Sequence, residues 1–513
     1  YVLFDPQDRS LQVIIPDVVP QGIDIQSLEM GPDGKLYMGG FQAALTIYDP
    51  SRNVYELQER VFPQIEGIGF LNENVYFGTY GGAVIYRYDP SQPYQKGVNP
   101  SLAYDIGEFQ SRPFAFASGD NKLFIGTIAD YGRVDGALTV YDESTGTWSV
   151  FRNVVADQSV MSVAYQNGLV YGGTTIYGGG GSNPVATEAK MFVWDVATQT
   201  KVAEFSPRVS GMSFHKMIGD LSFGPDGLLW GVTWGVAQNG TPVYSVFAMD
   251  PVSHEVKKSR LLYPNAPSGS TWRPYFLRWG PDGLLYTTIG RSLTVVDPAT
   301  MSYKKLLNHA DLMTVAENGD IYYAEGARLK LLPVPLSRVD LSADRTRLVR
   351  GETANLLVNG VLVNGKSANL SRAQIDYTSS NPDVVTVSNG TITGNNAGSS
   401  QITVTVTLDG ATVVSNVLNV EVEVTVASLE QTIAQFETSG TVQHPLAMQL
   451  KNSLKQAAHH VEQGNAKQAV KHLEDFIKHL NNEAMEKFVE PSAKQVLTAD
   501  ANVLLQNWKA GFE

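Results

Sequence analysis

Apolar and polar positions follow a repeated pattern through the first part of the chain, in which a tight polar turn leads into a short apolar strand. The clearest copies read Gly-Pro-Asp-Gly followed by an apolar run, at residues 31–38, 224–231 and 280–286. Looser copies occur at residues 71–77, 119–125, 166–171 and 317–323. Proline presets one turn angle and glycine tolerates positive φ, so each copy predicts a hairpin turn between two strands.

A second landmark follows every turn except the last: an apolar strand that ends in aspartate before another turn. These strands lie at residues 46–50, 85–90, 138–142, 192–195, 246–251 and 293–298. Each repeat therefore predicts four antiparallel strands. Seven repeats at spacings of roughly 36 to 59 residues are typical of propeller blades. We predict a seven-bladed β-propeller over residues 1–335.

Both ends of this region offer strands for the last blade. Residues 1–6 and 11–15 look like the outer two strands of a blade whose inner strands are absent. Closure of the ring by this N-terminal segment would remove a free sheet edge. Residues 329–334 compete for the same third-strand position, and the sequence leaves both solutions open. Because the chain opens at Tyr1 in a strand, without methionine or a signal peptide, we expect a processed product or a piece of something longer.

Residues 336–426 change to short alternating strands separated by Asn-Gly turns. This pattern predicts a small β-sandwich. Residues 377–394 together with Gly398 resemble the group-two bacterial immunoglobulin-like modules of secreted and surface proteins. The resemblance implies an Ig-like fold and an extracellular setting.

From residue 427 to residue 513 the apolar period becomes 3.6, which predicts helices. Gly464 and Asn465 separate the second and third helices, and Pro491 begins the fourth. Residues 476–482 of this four-helix module resemble the C-terminal FIMAH domain of secreted polysaccharide-degrading and proteolytic proteins of Gram-positive bacteria. The resemblance implies a secreted protein in which the helical domain accompanies degradative domains of this type. It implies no catalytic mechanism.

Composition narrows the function classes. The 513 residues carry a net charge of −13, which argues against nucleic acid and anionic membranes as partners. The chain contains no cysteine, which excludes disulfides, cysteine metal sites and a thiol nucleophile. No run of about 18 apolar residues occurs, so we expect no membrane span.

Cations and aromatic side chains concentrate at one predicted face of the propeller, where the first strand of each blade begins and where the second and third strands connect. A basic patch on an acidic chain predicts an anionic ligand, and aromatic rings beside it suggest stacking on sugars or bases. The catalytic candidates are His215, Tyr131, Arg273, Arg133 and Tyr177. The substrate-binding candidates are Tyr80, Arg112, Lys216, Trp234, Trp272 and His309.

The predicted architecture resembles the seven-bladed polysaccharide lyases that cleave uronate-containing glycans by β-elimination. The resemblance is architectural, so the roles come from the chemistry that the reaction needs. Arg273 or Arg133 would neutralise the uronate carboxylate, His215 would remove the neighbouring proton, and Tyr131 or Tyr177 would protonate the leaving oxygen. We expect no cofactor, and a metal-assisted lyase is a less favoured alternative.

Three other functions compete with the lyase. The first is a non-catalytic glycan-binding or scaffold module of a larger secreted enzyme. The second is a protein–protein propeller, which leaves the cationic aromatic face unexplained. The third is a glycoside hydrolase, which needs paired carboxylates that the sequence does not place at this face.

Overall fold

The computed structural model describes residues 2–4, 6–13, 22–264 and 275–511. The chain divides into two compact units, residues 1–334 and residues 335–513. None of the described helices combines the length and the apolar character needed to cross a membrane.

The first unit is built from antiparallel sheets of consecutive strands. β1 (Val2–Phe4) and β2 (Leu11–Val13) pair with each other. Three four-stranded sheets follow: β3 (Ile25–Met30), β4 (Leu36–Gly40), β5 (Ala43–Asp49) and β6 (Val54–Pro63); β7 (Ile65–Leu71), β8 (Asn74–Thr79), β9 (Val84–Tyr88) and β10 (Ser101–Asp105); β11 (Gln110–Gly119), β12 (Lys122–Ala129), β13 (Ala137–Asp142) and β14 (Thr147–Arg152).

An eight-stranded sheet combines the next two groups of four strands, which join where Thr175 pairs with Met217. Its strands are β15 (Ser159–Gln166), β16 (Leu169–Thr175), β17 (Met191–Asp195), β18 (Thr200–Phe205), β19 (Met212–Phe223), β20 (Leu229–Ala237), β21 (Pro242–Met249) and β22 (Val256–Leu262). The last two sheets contain β23 (Leu277–Trp279), β24 (Leu285–Ile289), β25 (Ser292–Val296) and β26 (Tyr303–Asn308), then β27 (Leu312–Val315), β28 (Ile321–Glu325) and β29 (Arg328–Leu332).

The third strand of the last sheet is therefore β29, which pairs antiparallel with β28. This pairing decides between the two solutions that the sequence left open for that position. Within the described residues, β1 and β2 pair only with each other.

The first strands of the sheets contact one another in a closed series. β3 contacts β7, and the contacts continue through β11, β15, β19, β23 and β27, which contacts β3 again. At this last contact the Met30 N–H donates to Thr314 Oγ1 over 3.2 Å. Six of the seven first strands line a cavity of about 290 Å³.

The Gly-Pro-Asp-Gly turns have a side-chain explanation as well as a backbone one. Asp33 accepts a hydrogen bond from the Tyr37 hydroxyl, in the following strand, over 2.8 Å. Gly34 has a φ of 75°, in the left-handed region that favours glycine. In the other two copies an aromatic side chain again donates to the turn aspartate: Trp230 donates to Asp226, and Tyr286 donates to Asp282.

The second unit begins with two packed sheets. Their strands are β30 (Leu336–Ala343), β31 (Arg347–Leu348), β32 (Thr353–Leu362), β33 (Gln374–Ser379), β34 (Val385–Ser388), β35 (Thr391–Gly394), β36 (Gly398–Leu408), β37 (Ala411–Val414) and β38 (Leu418–Val422). One sheet has the order β30-β32-β35-β34, and the other has the order β31-β38-β36-β33 with β37 also paired to β36. Alternating apolar residues of both sheets form one core, as in Val404 and Val406 of β36.

Four helices follow: α1 (Val426–Thr438), α2 (Leu446–Glu462), α3 (Ala466–Leu480) and α4 (Pro491–Gly511). Thr425 and Ser428 form a capping box that begins α1, and the Asn465 side chain caps α3. A bidentate ion pair links the strand region to α4, because Arg350 donates to Asp500 over 3.1 and 2.9 Å.

Candidate functional site

In an antiparallel sheet of consecutive strands, the segment before the first strand and the loop between the second and third strands lie at the same end. We call this end of the first unit the loop face. Among the described candidates, Tyr80, Tyr131, Arg133, Tyr177 and His309 lie in these segments. Arg112 lies near the start of β11, Lys216 lies within β19 and Trp234 lies within β20. Trp272 and Arg273 fall outside the described residues.

The structure brings three candidates from two sheets together. The hydroxyl groups of Tyr80 and Tyr131 lie 2.7 Å apart and share a hydrogen bond. The Arg112 guanidinium lies over the Tyr80 ring, 4.1 Å from its centroid. The Tyr131 side chain is exposed, so this cluster offers an aromatic ring and a hydroxyl to solvent.

The charge of Arg112 is balanced within this cluster. Arg112 forms an ion pair with Glu66, whose side chain is fully buried. Glu66 also accepts hydrogen bonds from Gln26 over 2.8 Å and from Gln64 over 2.7 Å. The guanidinium therefore anchors the Tyr80 ring and adds no net positive charge to the loop face.

Arg133 is neutralised in a similar way. It donates two hydrogen bonds to Asp135, over 2.9 and 2.6 Å, and Arg152 donates a third over 2.5 Å. Burial alone would raise the pKa of Asp135, but the hydrogen bonds from the two arginines hold that pKa below its usual range. Arg133 also lies over the ring of Phe109, 4.6 Å from its centroid.

A second cluster contains Tyr177, Lys216 and Trp234. The Tyr177 ring stacks on Trp234 with 6.1 Å between centroids, and the Lys216 ammonium lies over the same indole at 5.0 Å. Trp234 is only 2% exposed, so it lies beneath the other two side chains as a support. Burial raises the pKa of Tyr177, which keeps its hydroxyl protonated at neutral pH.

His215 lies within the protein and is 2% exposed. Its Nε2 lies 2.8 Å from the Pro207 carbonyl, to which it must donate because a carbonyl oxygen only accepts. Its Nδ1 shares a 2.9 Å hydrogen bond with the Thr233 hydroxyl. Burial lowers the pKa of His215. To act as a base toward a bound substrate, the imidazole would first have to break one of these bonds and reach the surface.

The two clusters are connected by their loops. Gly132 N–H donates to Gly180 O over 2.9 Å, and Gly179 N–H donates to Arg133 O over 2.9 Å. A Cβ at Gly178 would lie 1.9 Å from Arg133 O. The glycine run after Tyr177 therefore permits close backbone packing against the loop that carries Tyr131.

His309 is exposed at the last sheet of the loop face and adopts a φ of 61°. Its neighbour there is Glu325, which belongs to neither aromatic cluster. The hydrogen bond and the charge of Lys330 lower the pKa of Glu325, and the charge of His309 contributes in the same direction.

A set of buried charges that the sequence does not predict lies in the cavity bounded by the first strands. Arg278 donates to Asp220 over 3.0 Å and forms an ion pair with Glu29. Burial raises the pKa of both carboxyl groups, and the charge of Arg278 opposes that rise. Arg278 is 58 residues from Asp220 and 249 residues from Glu29 in the chain, so no local pattern in the sequence predicts these pairs.

Within the described residues, no group of three or more histidine, aspartate or glutamate side chains has the arrangement needed to hold a metal ion.

Comparison with known proteins identifies one domain. Residues 426–506 match the FIMAH domain family. A search of curated proteins found no match.

Two solved structures are similar to part of this chain at low sequence identity. One is hydrazine synthase of Kuenenia stuttgartiensis, with a TM-score of 0.46 and 11% identity over 63% of this chain and 98% of that one. The other is the WD40 beta propeller domain of Doa1, with a TM-score of 0.42 and 12% identity over 60% of this chain and 91% of that one.

Proposed function

We propose that this chain is a secreted carbohydrate-active protein that binds a uronate-containing acidic glycan. In this proposal the first unit is a seven-bladed β-propeller, and the glycan binds to its loop face. The second unit comprises an Ig-like β-sandwich and the FIMAH domain, and it attaches the protein to a cell wall or to glycan.

The observation that carries the proposal is the connection between the two aromatic clusters. Tyr131 and Tyr177 belong to loops of different sheets, and backbone hydrogen bonds between these loops hold both rings at the same face. Sugar rings present C–H groups that pack on aromatic faces, and their hydroxyl groups exchange hydrogen bonds with tyrosine. A row of tyrosines with a lysine beside it therefore suits an acidic glycan.

β-Elimination is the second candidate function, and the Tyr80–Tyr131 hydroxyl pair is the observation that favours it. The hydrogen bond shared with Tyr131 raises the pKa of Tyr80, so the Tyr80 hydroxyl remains protonated at neutral pH. Such a pair could protonate a leaving oxygen. The proposed roles of Arg133, Arg273 and His215 in neutralising the carboxylate and removing the proton belong to this second candidate.

Affinity electrophoresis in gels that contain polygalacturonate tests the binding proposal. We expect retardation of the wild-type chain. Tyr131→Ala should weaken binding by roughly tenfold, which corresponds to about 1.4 kcal/mol and to the contact of one aromatic ring. Tyr55→Ala is the matched control, because Tyr55 is a similarly exposed tyrosine on the outer strand β6.

Absence of retardation on a panel of acidic polysaccharides would contradict the binding proposal. The same samples are monitored for ultraviolet absorbance of an unsaturated uronyl product. Growth of this absorbance would establish the lyase, whereas retardation without it would identify a binding module.

A further inference from the structure

Among the described residues, some cationic side chains of the loop face form ion pairs with carboxylates of the protein, and one does not. Arg112 is paired with Glu66 and Arg133 with Asp135. Arg291, in the corresponding loop between β24 and β25, donates two hydrogen bonds to Asp311. These guanidinium groups would have to give up an internal partner before they could bind a ligand carboxylate.

Lys216 differs from these arginines. Within the described residues its ammonium group has no carboxylate or carbonyl partner, and it contacts the Trp234 ring instead. The side chain is partly buried, so the neighbouring protein withholds part of the hydration that an exposed lysine has. A partly desolvated cation without a counterion favours an incoming anion more than a fully hydrated one does.

The groups around Lys216 are hydrogen-bond donors that lack acceptors. The Trp234 indole N–H is buried and unpaired among the described side chains. The Tyr177 hydroxyl likewise makes no hydrogen bond to a described residue, and burial keeps it protonated. The Lys216 ammonium and the Tyr177 hydroxyl therefore offer a cation and a hydroxyl donor side by side above the indole, which matches an oxygen-rich anion.

We propose that Lys216 and Tyr177 form a subsite that binds the carboxylate of a uronate residue. Trp234 is the positioning residue, because both side chains pack on its ring. This inference rests on the proposed function and makes it more specific. Lys216 Nζ would bind the carboxylate, and the Tyr177 ring and hydroxyl would contact the sugar to which the carboxylate belongs. The subsite therefore determines selectivity for uronate over neutral sugars.

The test compares two forms of the same polymer: polygalacturonate, and polygalacturonate whose carboxyl groups are fully methyl-esterified. Esterification removes the charge and preserves the sugar backbone. We expect the wild-type chain to bind the charged form roughly tenfold more tightly, the effect of one charge-assisted hydrogen bond. Lys216→Met should abolish this preference, and Lys216→Arg should restore part of it.

Lys305→Met is the matched control. Lys305 lies over the ring of Tyr263 at 4.8 Å, so it makes the same type of contact, but it belongs to the outer strand β26. This variant should keep the wild-type preference. Thermal denaturation of each variant checks that the fold is retained.

The possible outcomes separate the subsite from the proposed function. Equal binding of both polymer forms by the wild-type chain, or an unchanged preference in a folded Lys216→Met variant, overturns the carboxylate subsite and leaves glycan binding intact. Binding of neither form overturns the proposed function and the subsite together. Loss of the preference in Lys216→Met with retention in Lys305→Met supports both.

Discussion

At the scale of single residues, one substitution distinguishes a structural role of His215 from a catalytic one. Its two ring nitrogens are engaged by Pro207 and Thr233, and the side chain is buried. His215→Ala should therefore lower the free energy of unfolding by about 2–4 kcal/mol, from lost hydrogen bonds and a new cavity. Thermal denaturation measures this effect. A variant with wild-type thermal stability and no lyase activity would instead identify a catalytic base.

The pH dependence of the same residue provides a second readout. Burial holds the pKa of folded His215 below its ordinary value of 6.5, so the unfolded chain takes up the proton first as the pH falls. The stabilisation from neutral His215 is therefore present above about pH 6.5 and is lost below it. The wild-type chain should lose stability between about pH 7 and pH 5 more steeply than His215→Ala does.

At the scale of elements, the loops that carry Tyr131 and Tyr177 act together because glycine lets their backbones approach. Gly178→Ala would place a Cβ 1.9 Å from Arg133 O, so we expect the loops to separate, with a stability loss of about 1–3 kcal/mol. Gly181→Ala is the control, since its Cβ would meet open space and only its φ of 77° is unfavourable. Hydrogen exchange at Gly132 and Gly179 should become faster in the first variant and remain unchanged in the second.

The sequence predicts turns and strands better than it predicts the partners of their side chains. The Gly-Pro-Asp-Gly turns are readable because their determinants lie within a few residues, as in the bond from Tyr37 to Asp33. The charge of the loop face is harder to predict. Arg112 is visible as a cation in the sequence, but its partner Glu66 lies 46 residues away. Arg278 and Glu29 are separated by 249 residues, and no local pattern connects them.

At the scale of the whole first unit, Arg278 links sheets that are distant in sequence. It lies on β23 and holds Glu29 of β3 and Asp220 of β19, across the cavity that the first strands enclose. Arg278→Met would leave both carboxylates partly buried and uncompensated. We expect a loss of about 3–5 kcal/mol, the usual cost of breaking a buried pair by removing one partner. Glu29→Gln is the matched control, because it leaves one arginine facing one aspartate.

The pH dependence of Arg278→Met follows from the same contacts. Burial already raises the pKa of Glu29 and Asp220 in the wild-type chain, where the charge of Arg278 opposes the rise. Without Arg278 both pKa values should rise further, so the folded state binds protons more readily than the unfolded state. The unfolding free energy of the variant should therefore increase as the pH is lowered from about 7 toward 5, which recovers part of the loss. Chemical denaturation at these two pH values measures the recovery. A variant that is equally destabilised at both would show that Arg278 acts through packing, not through charge.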